Sequence, residues 1–173
     1  MTKARLWTRS LALGLIGAIG YGLVHDQVSV RISPAYLMDW HPMIVASRDP
    51  TVVALAWGVV ATWWFGLILG AALALAATIG RRPVAPWRWI TGAIAFVFAI
   101  SALSAAVAYG ITRAFALEMP DVLGPSYADL SQPQRLAFTQ TLAMHETSYD
   151  AAAVATLIAA GWIVWRRQTI RTQ

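Results

Sequence analysis

Residues 6–42 read LWTRSLALGLIGAIGYGLVHDQVSVRISPAYLMDWHP, an apolar run that breaks at His25-Asp26 into a segment ending on a second histidine, His41-Pro42. From Leu6 to Val24 the only charge is Arg9, one turn from the start, where its long side chain reaches back to lipid headgroups. As a helix this run spans roughly the 30 Å hydrocarbon thickness of a bilayer. Lys3 and Arg5 ahead of it also give it the outline of a signal peptide. There is no clear small-x-small cleavage site, however, and Gly-Tyr-Gly-Leu-Val leads straight into the histidine segment, so it reads as a first transmembrane helix.

Working outward, the composition agrees. Of 173 residues 58% are hydrophobic and 12% charged, about half the charge that covers a soluble domain. Nine tryptophans suit a chain whose indole rings sit at the headgroup interface. Three more apolar runs follow, and the sequence predicts an all-α, single-domain integral membrane four-helix bundle over 1–173, with short extended or irregular outer loops. The spans are about 6–25, 51–80, 88–115 and 133–167, the last entering the membrane from about 149, and the outer loops are 25–50 and 116–148. The last helix is expected to start at Ser131-Gln132-Pro133, a Ser cap followed by Pro in the first turn. Pro120, Gly124 and Pro125 make the connection before it rich in turns. In the first loop the alternation of Val28, Val30 and Ile32 with Ser29, Arg31 and Ser33 predicts a short extended piece. Ala35–Met38 is expected to form a turn of helix on the membrane surface, with Tyr36, Trp40 and Tyr127 as interfacial anchors.

Charge sets the orientation. Lys3, Arg5, Arg9, Arg81, Arg82, Arg88, Arg166, Arg167 and Arg171 lie in three segments that hold no acid, whereas Asp26, Asp39, Asp49, Glu118, Asp121, Asp129, Glu146 and Asp150 all fall on the opposite side. By the positive-inside rule both termini are cytoplasmic in a multi-pass protein of the bacterial inner membrane. The pI of about 10.2 is then topology, and no nucleic-acid partner is expected. All three histidines, His25, His41 and His145, share the outer side. The partners expected are the lipid bilayer and a membrane-protein partner or a second copy of the chain.

Helical spacing refines this picture. Gly14, Ala18, Tyr21 and His25 share one helix face; Ala95, Ala99, Ala102, Ala106, Tyr109 and Arg113 form a second stripe, and His145, Tyr149, Ala152, Thr156 and Ala159 a third. Gly66, Gly70 and Ala74 repeat the small-residue spacing that lets helices approach in lipid. With these faces turned inward, Tyr21, His25, Tyr109, Arg113, Tyr149 and His145 converge at the outer mouth of the bundle.

Two readings of the histidines follow. In the first, His25, His41 and His145 bind a divalent transition metal (Zn, Cu or Fe), with Asp26, Asp39, Glu146 or Asp150 completing or orienting the ligands. In the second they hydrogen-bond tyrosines, aspartates and loop carbonyls, and the protein is a structural or assembly subunit whose outer loop docks a partner. Haem is disfavoured, since His25 and His145 lie at the surface and not at matched depth. With no cysteine there is neither disulfide nor thiolate chemistry. His145-Glu146 lacks the second histidine of a zincin helix, and Ser148 at three residues from His145 is a weak nucleophile–base pair. A channel or transporter is disfavoured because no ionisable group lies mid-membrane and no helix looks broken. Catalytic residues stay unassigned.

The run from His25 to Tyr36 with His41-Pro42 resembles the signature of an uncharacterised family of small four-span bacterial membrane proteins, H-D-x-(V/I)-T-x-R-(I/V)-x-x-E-Y-F ending in H-P. The family's last span opens with H-x-x-S-Y, similar to His145, Ser148 and Tyr149. The resemblance implies four spans and a site at these positions, and no activity. Ala35 stands where the pattern has Glu and Leu37 where it has Phe; Asp39 is the nearest substitute for the missing carboxylate.

Overall fold

A computed structural model describes residues 1–118 and 125–169, with the backbone alone at 125 and 126. Pro120, Asp121, Gly124 and Arg171 lie outside the described residues. The chain runs α1 (Lys3–Ile32), α2 (Pro34–Met38), α3 (Pro50–Val60), α4 (Trp63–Thr78), α5 (Trp87–Ala114), α6 (Pro125–Ala128) and α7 (Gln132–Arg166), ending in a 3-10 turn over Arg167–Thr169. Four of these stretches are long and apolar enough to cross a membrane: Lys3–Ile32, Pro50–Thr78, Trp87–Ala114 and Gln132–Thr169. No strand is present among the described residues.

The caps follow from local chemistry. Asp49 accepts from the backbone N–H groups of Thr51 and Val52, with Pro50 behind it in the first turn of α3. Ser131 and Gln134 form a capping box at the start of α7. That helix is 35 residues long, about 50 Å, well beyond the hydrocarbon thickness, so its first turns stand clear of the core.

Two expectations fail here. Residues 27–33 are not extended: α1 continues to Ile32, and the outer connection begins at Ser33 instead of 25. Ser29 and Val30 are buried while Val28 is exposed, a helical division of faces. Arg31 donates to both the carbonyl and the side-chain oxygen of Gln27 one turn back, and Pro34 then ends the helix. Continuing the helix satisfies backbone groups that a lone strand beside a membrane leaves unpaired. The second span is broken. α3 and α4 meet at Ala61-Thr62, where the Thr62 hydroxyl donates 2.6 Å back to the Gly58 carbonyl.

α1 lies along α3 and α4 with backbones in contact. A Cβ on Gly14 would collide with the Gly66 carbonyl, and one on Gly22 with the Gly58 carbonyl; one on Gly70 would sit 2.5 Å from the Ser10 carbonyl. Five helical glycines are thus spent on one seam, which runs across the break between α3 and α4. α5 pairs as closely with α7, which also meets α4. The inward face of α5 is Ile94, Val97, Ser101, Ala105, Ala108 and Thr112. The stripe Ala95, Ala99, Ala102 and Ala106 expected inside is exposed, one position out of register. Alanine lies on both faces, so the larger Ile94 and Val97, together with the Ser104 hydroxyl donating 3.1 Å to the Thr147 carbonyl of α7, decide which turns inward.

At the end bearing the chain termini, Arg167 is 2% exposed. Its guanidinium donates 2.9 Å hydrogen bonds to the carbonyls of Pro83, Ala76, Ile79 and Arg82, closing the last turn of α4 and the loop after it, where Gly80 holds φ +74°. A charge counted in the sequence as surface topology is here a buried clamp. Leu6, Leu69, Leu73, Ile90 and Ile163 form the apolar cluster near it, and Val30, Tyr36, Leu37, Val53, Tyr127 and Phe138 form another at the opposite end.

Candidate metal centre

Between these clusters α1 and α7 face each other with polar side chains. On α1 the buried series Ser10, Gly14, Ala18, Gly22, Asp26 continues every fourth residue, so Asp26 falls on the glycine seam and points inward. His25 is its neighbour, and Ser29 lies three residues beyond Asp26. On α7, His145 and Ser148 are buried. His25, Asp26 and His145 each offer a ligand atom, all within 4.8 Å of one another. Asp26 is 4% and His145 7% exposed.

Ser29 Oγ donates 3.0 Å to the His25 carbonyl, one turn back. The same oxygen is 2.9 Å from His145 Nε2, and Asp26 Oδ1 lies 3.7 Å from that nitrogen. His25 Nδ1 is 3.3 Å from the Tyr21 hydroxyl. Its other nitrogen, Nε2, is buried and has no hydrogen-bond partner, the one such side-chain atom among the described residues. The His25 and His145 rings meet edge to face, centroids 4.5 Å apart. A cavity of about 20 Å³, room for about one water molecule, adjoins them, lined by Tyr21, Asp26, Thr62, Ser101, Ser148 and Tyr149.

The short helix α2 covers this group. Tyr36 is 5% exposed, and its ring rests on His145 at 4.7 Å and on Phe138 at 5.3 Å. Burial, reinforced by the nearby Glu146 carboxylate, pushes its hydroxyl well above the ordinary tyrosine range, so it stays neutral. The expectation of an interfacial anchor fails for Tyr36, which is a roof over the centre.

The other residues expected here are placed differently. His41 stands outside the ligand group: its Nδ1 donates 2.7 Å to the Tyr36 carbonyl, and its ring packs on Tyr36 and Trp57. Asp39 ends α2 with its side chain exposed, and Glu146 and Asp150 are exposed on α7. Arg113 is exposed and donates 2.7 Å to the Tyr109 hydroxyl, and neither belongs to the ligand group. Tyr21 and Tyr149 line the small cavity. The period-two alternation around Ser29 predicts a strand and so hides it as a site residue, whereas the four-residue series from Ser10 to Asp26 is the signal that the helix carries on through His25.

Two imidazoles and one carboxylate suit a divalent transition metal and leave at least one coordination position open. Comparison of the chain with protein-family models, curated proteins and solved structures finds no match.

Proposed function

We propose that the chain is a four-helix membrane bundle with cytoplasmic termini, and that its extracytoplasmic half binds a divalent transition metal, Zn, Cu or Fe, through His25, Asp26 and His145. The observation that carries this is the lone-standing His25 Nε2, buried beside a second imidazole and a carboxylate. A buried polar atom without a partner costs about 1–3 kcal/mol, which a coordinated ion removes. In this reading Tyr21 accepts from His25 Nδ1–H, the usual arrangement for the far nitrogen of a ligating imidazole, and Ser29 and Ser148 orient the His145 turn. Ligands held at about 2.0–2.2 Å from one ion lie roughly 3.3 Å apart, so the group closes by up to about 1.5 Å on loading, within reach of side-chain rotation. Haem does not suit the geometry, since rings in edge-to-face contact leave no gap for a macrocycle. The likeness to the four-span family supports the location of the centre and assigns no reaction.

Elemental analysis of the purified full chain is the test. About one metal per chain is expected, retained in His41→Ala and lost in His25→Ala, Asp26→Ala and His145→Ala. Sub-stoichiometric metal in the intact protein overturns the reading. The second reading, an assembly subunit, draws on the hydrogen bonds that His145 and His41 already make to Ser29 and Tyr36. A stable complex purified from native membranes without bound metal would favour it.

A further inference from the structure

The centre is closed to water from above and reached from the side. Tyr36 and Leu37 of α2 roof it, both buried. Laterally, α1 and α5 pack against each other far less than either packs against its main partner. The gap between them is a groove of about 570 Å³ running along α1 from Tyr21 to Ile32, walled by Val24 and Val28 on one side and by Ala102 and Ala106 on the other. The alanines that sequence spacing assigned to the interior line this groove instead. Tyr21 and His25 belong both to its wall and to the small cavity beside Asp26.

Charge is concentrated at one end. Tyr109 lines the groove near the end of α5, and Arg113, one turn on, donates to its hydroxyl with the guanidinium 5.9 Å from the ring centroid. Arg113 is exposed and has no acidic partner among the described residues. An apolar slot inside two membrane-spanning helices, ending in a phenol and a guanidinium, matches a hydrocarbon chain that terminates in phosphate. We propose that the groove binds one acyl chain of an anionic phospholipid from the surrounding leaflet, its phosphate held by Arg113. The proposal rests on the membrane-spanning reading above and is independent of whether a metal binds. A lipid so seated lies against the His25 ring, which gives a membrane-dissolved molecule direct access to the centre.

The test reconstitutes the full chain in phosphatidylcholine nanodiscs doped with phosphatidylglycerol carrying a diazirine in its acyl chain. After irradiation, labelled positions are mapped by mass spectrometry. The expected result is labelling of Val24, Val28, Ala102 and Ala106 in excess over Ile16 and Leu157, which are exposed elsewhere on the lipid-facing surface. Ala106→Phe fills one wall at an exposed position and removes the excess, and Val24→Trp, from the opposite wall, does the same. Arg113→Gln abolishes the preference over phosphatidylcholine bearing the same chain. Even labelling of all lipid-facing positions, labelling indifferent to both wall variants, or equal labelling by the two headgroups overturns the proposal. Metal content measured on the unsubstituted chain separates the outcomes: metal bound with no excess labelling of the groove overturns the lipid site alone. A chain that stays soluble without detergent or lipid overturns the membrane reading with it.

Discussion

Asp26 is a carboxylate inside a helix seam made of glycine and alanine, and a charge so placed needs a positive partner or a proton. Its neighbours are His145 Nε2 and, across the ring contact, His25. Asp26→Asn preserves the shape and removes the anionic oxygen, so metal affinity should fall at least tenfold by equilibrium dialysis. Asp150→Asn, exposed on the same helix as His145, should leave it unchanged. Affinity should also fall as pH is lowered, because protons then compete with the metal for its ligands. At the other end Arg167 makes four carbonyl contacts with one buried guanidinium. Arg167→Gln leaves most of those carbonyls without a donor and should cost about 3 kcal/mol, visible as a lower unfolding temperature in detergent. No metal loss should accompany it at permissive temperature, since the clamp and the centre lie in opposite halves.

The seam of α1 with α3 and α4 depends on hydrogen where other residues carry Cβ. Gly66→Ala would bring a methyl to 2.5 Å from the Gly14 carbonyl and 2.8 Å from the Ala18 Cβ, forcing the helices apart at a cost of about 1–3 kcal/mol. Gly110 of α5 has nothing within 4 Å of an added Cβ, so Gly110→Ala should instead stabilise, by about 0.5–1 kcal/mol. Thermal unfolding of the two variants side by side checks the opposite signs. Element by element, the sequence was informative where one signal acted alone. The start of α7 was legible because a Ser cap and a Pro in the first turn agree with an unbroken helical pattern. The helix through Ile32 was not, because Val28, Val30 and Ile32 are β-branched at period two and only their burial reveals the helical face. The face of α5 was not, because alanine on every side leaves no amphipathic contrast. The break at Thr62 had no signal of its own: a hydroxyl bonding to Gly58 matters only once α1 presses on that glycine.

The molecule is assembled from two close pairs, α1 with α3 and α4, and α5 with α7, joined through α4 and α7. The roof belongs to the connection within the first pair. His41 holds it by one hydrogen bond to Tyr36 and by packing on Trp57. His41→Ala should therefore loosen α2 without emptying the centre, seen as faster tryptic cleavage at Arg48, which lies in the adjoining loop, with metal content unchanged. The group that could hold a metal was legible in part: two of its histidines follow from spacing and charge, but the exclusion of His41 required the fold of α2. The division into pairs also sets a timetable. His145 follows its contact Ser29 by 116 positions, so at about 5–20 residues per second the ribosome needs roughly 10 s to supply it after Ser29 is made. During that interval the first pair can zip along its glycines while His25 and Asp26 wait with no second imidazole. The candidate centre thus stays incomplete until the fourth helix has arrived, and the Arg167 clamp at the far end of that helix closes later still.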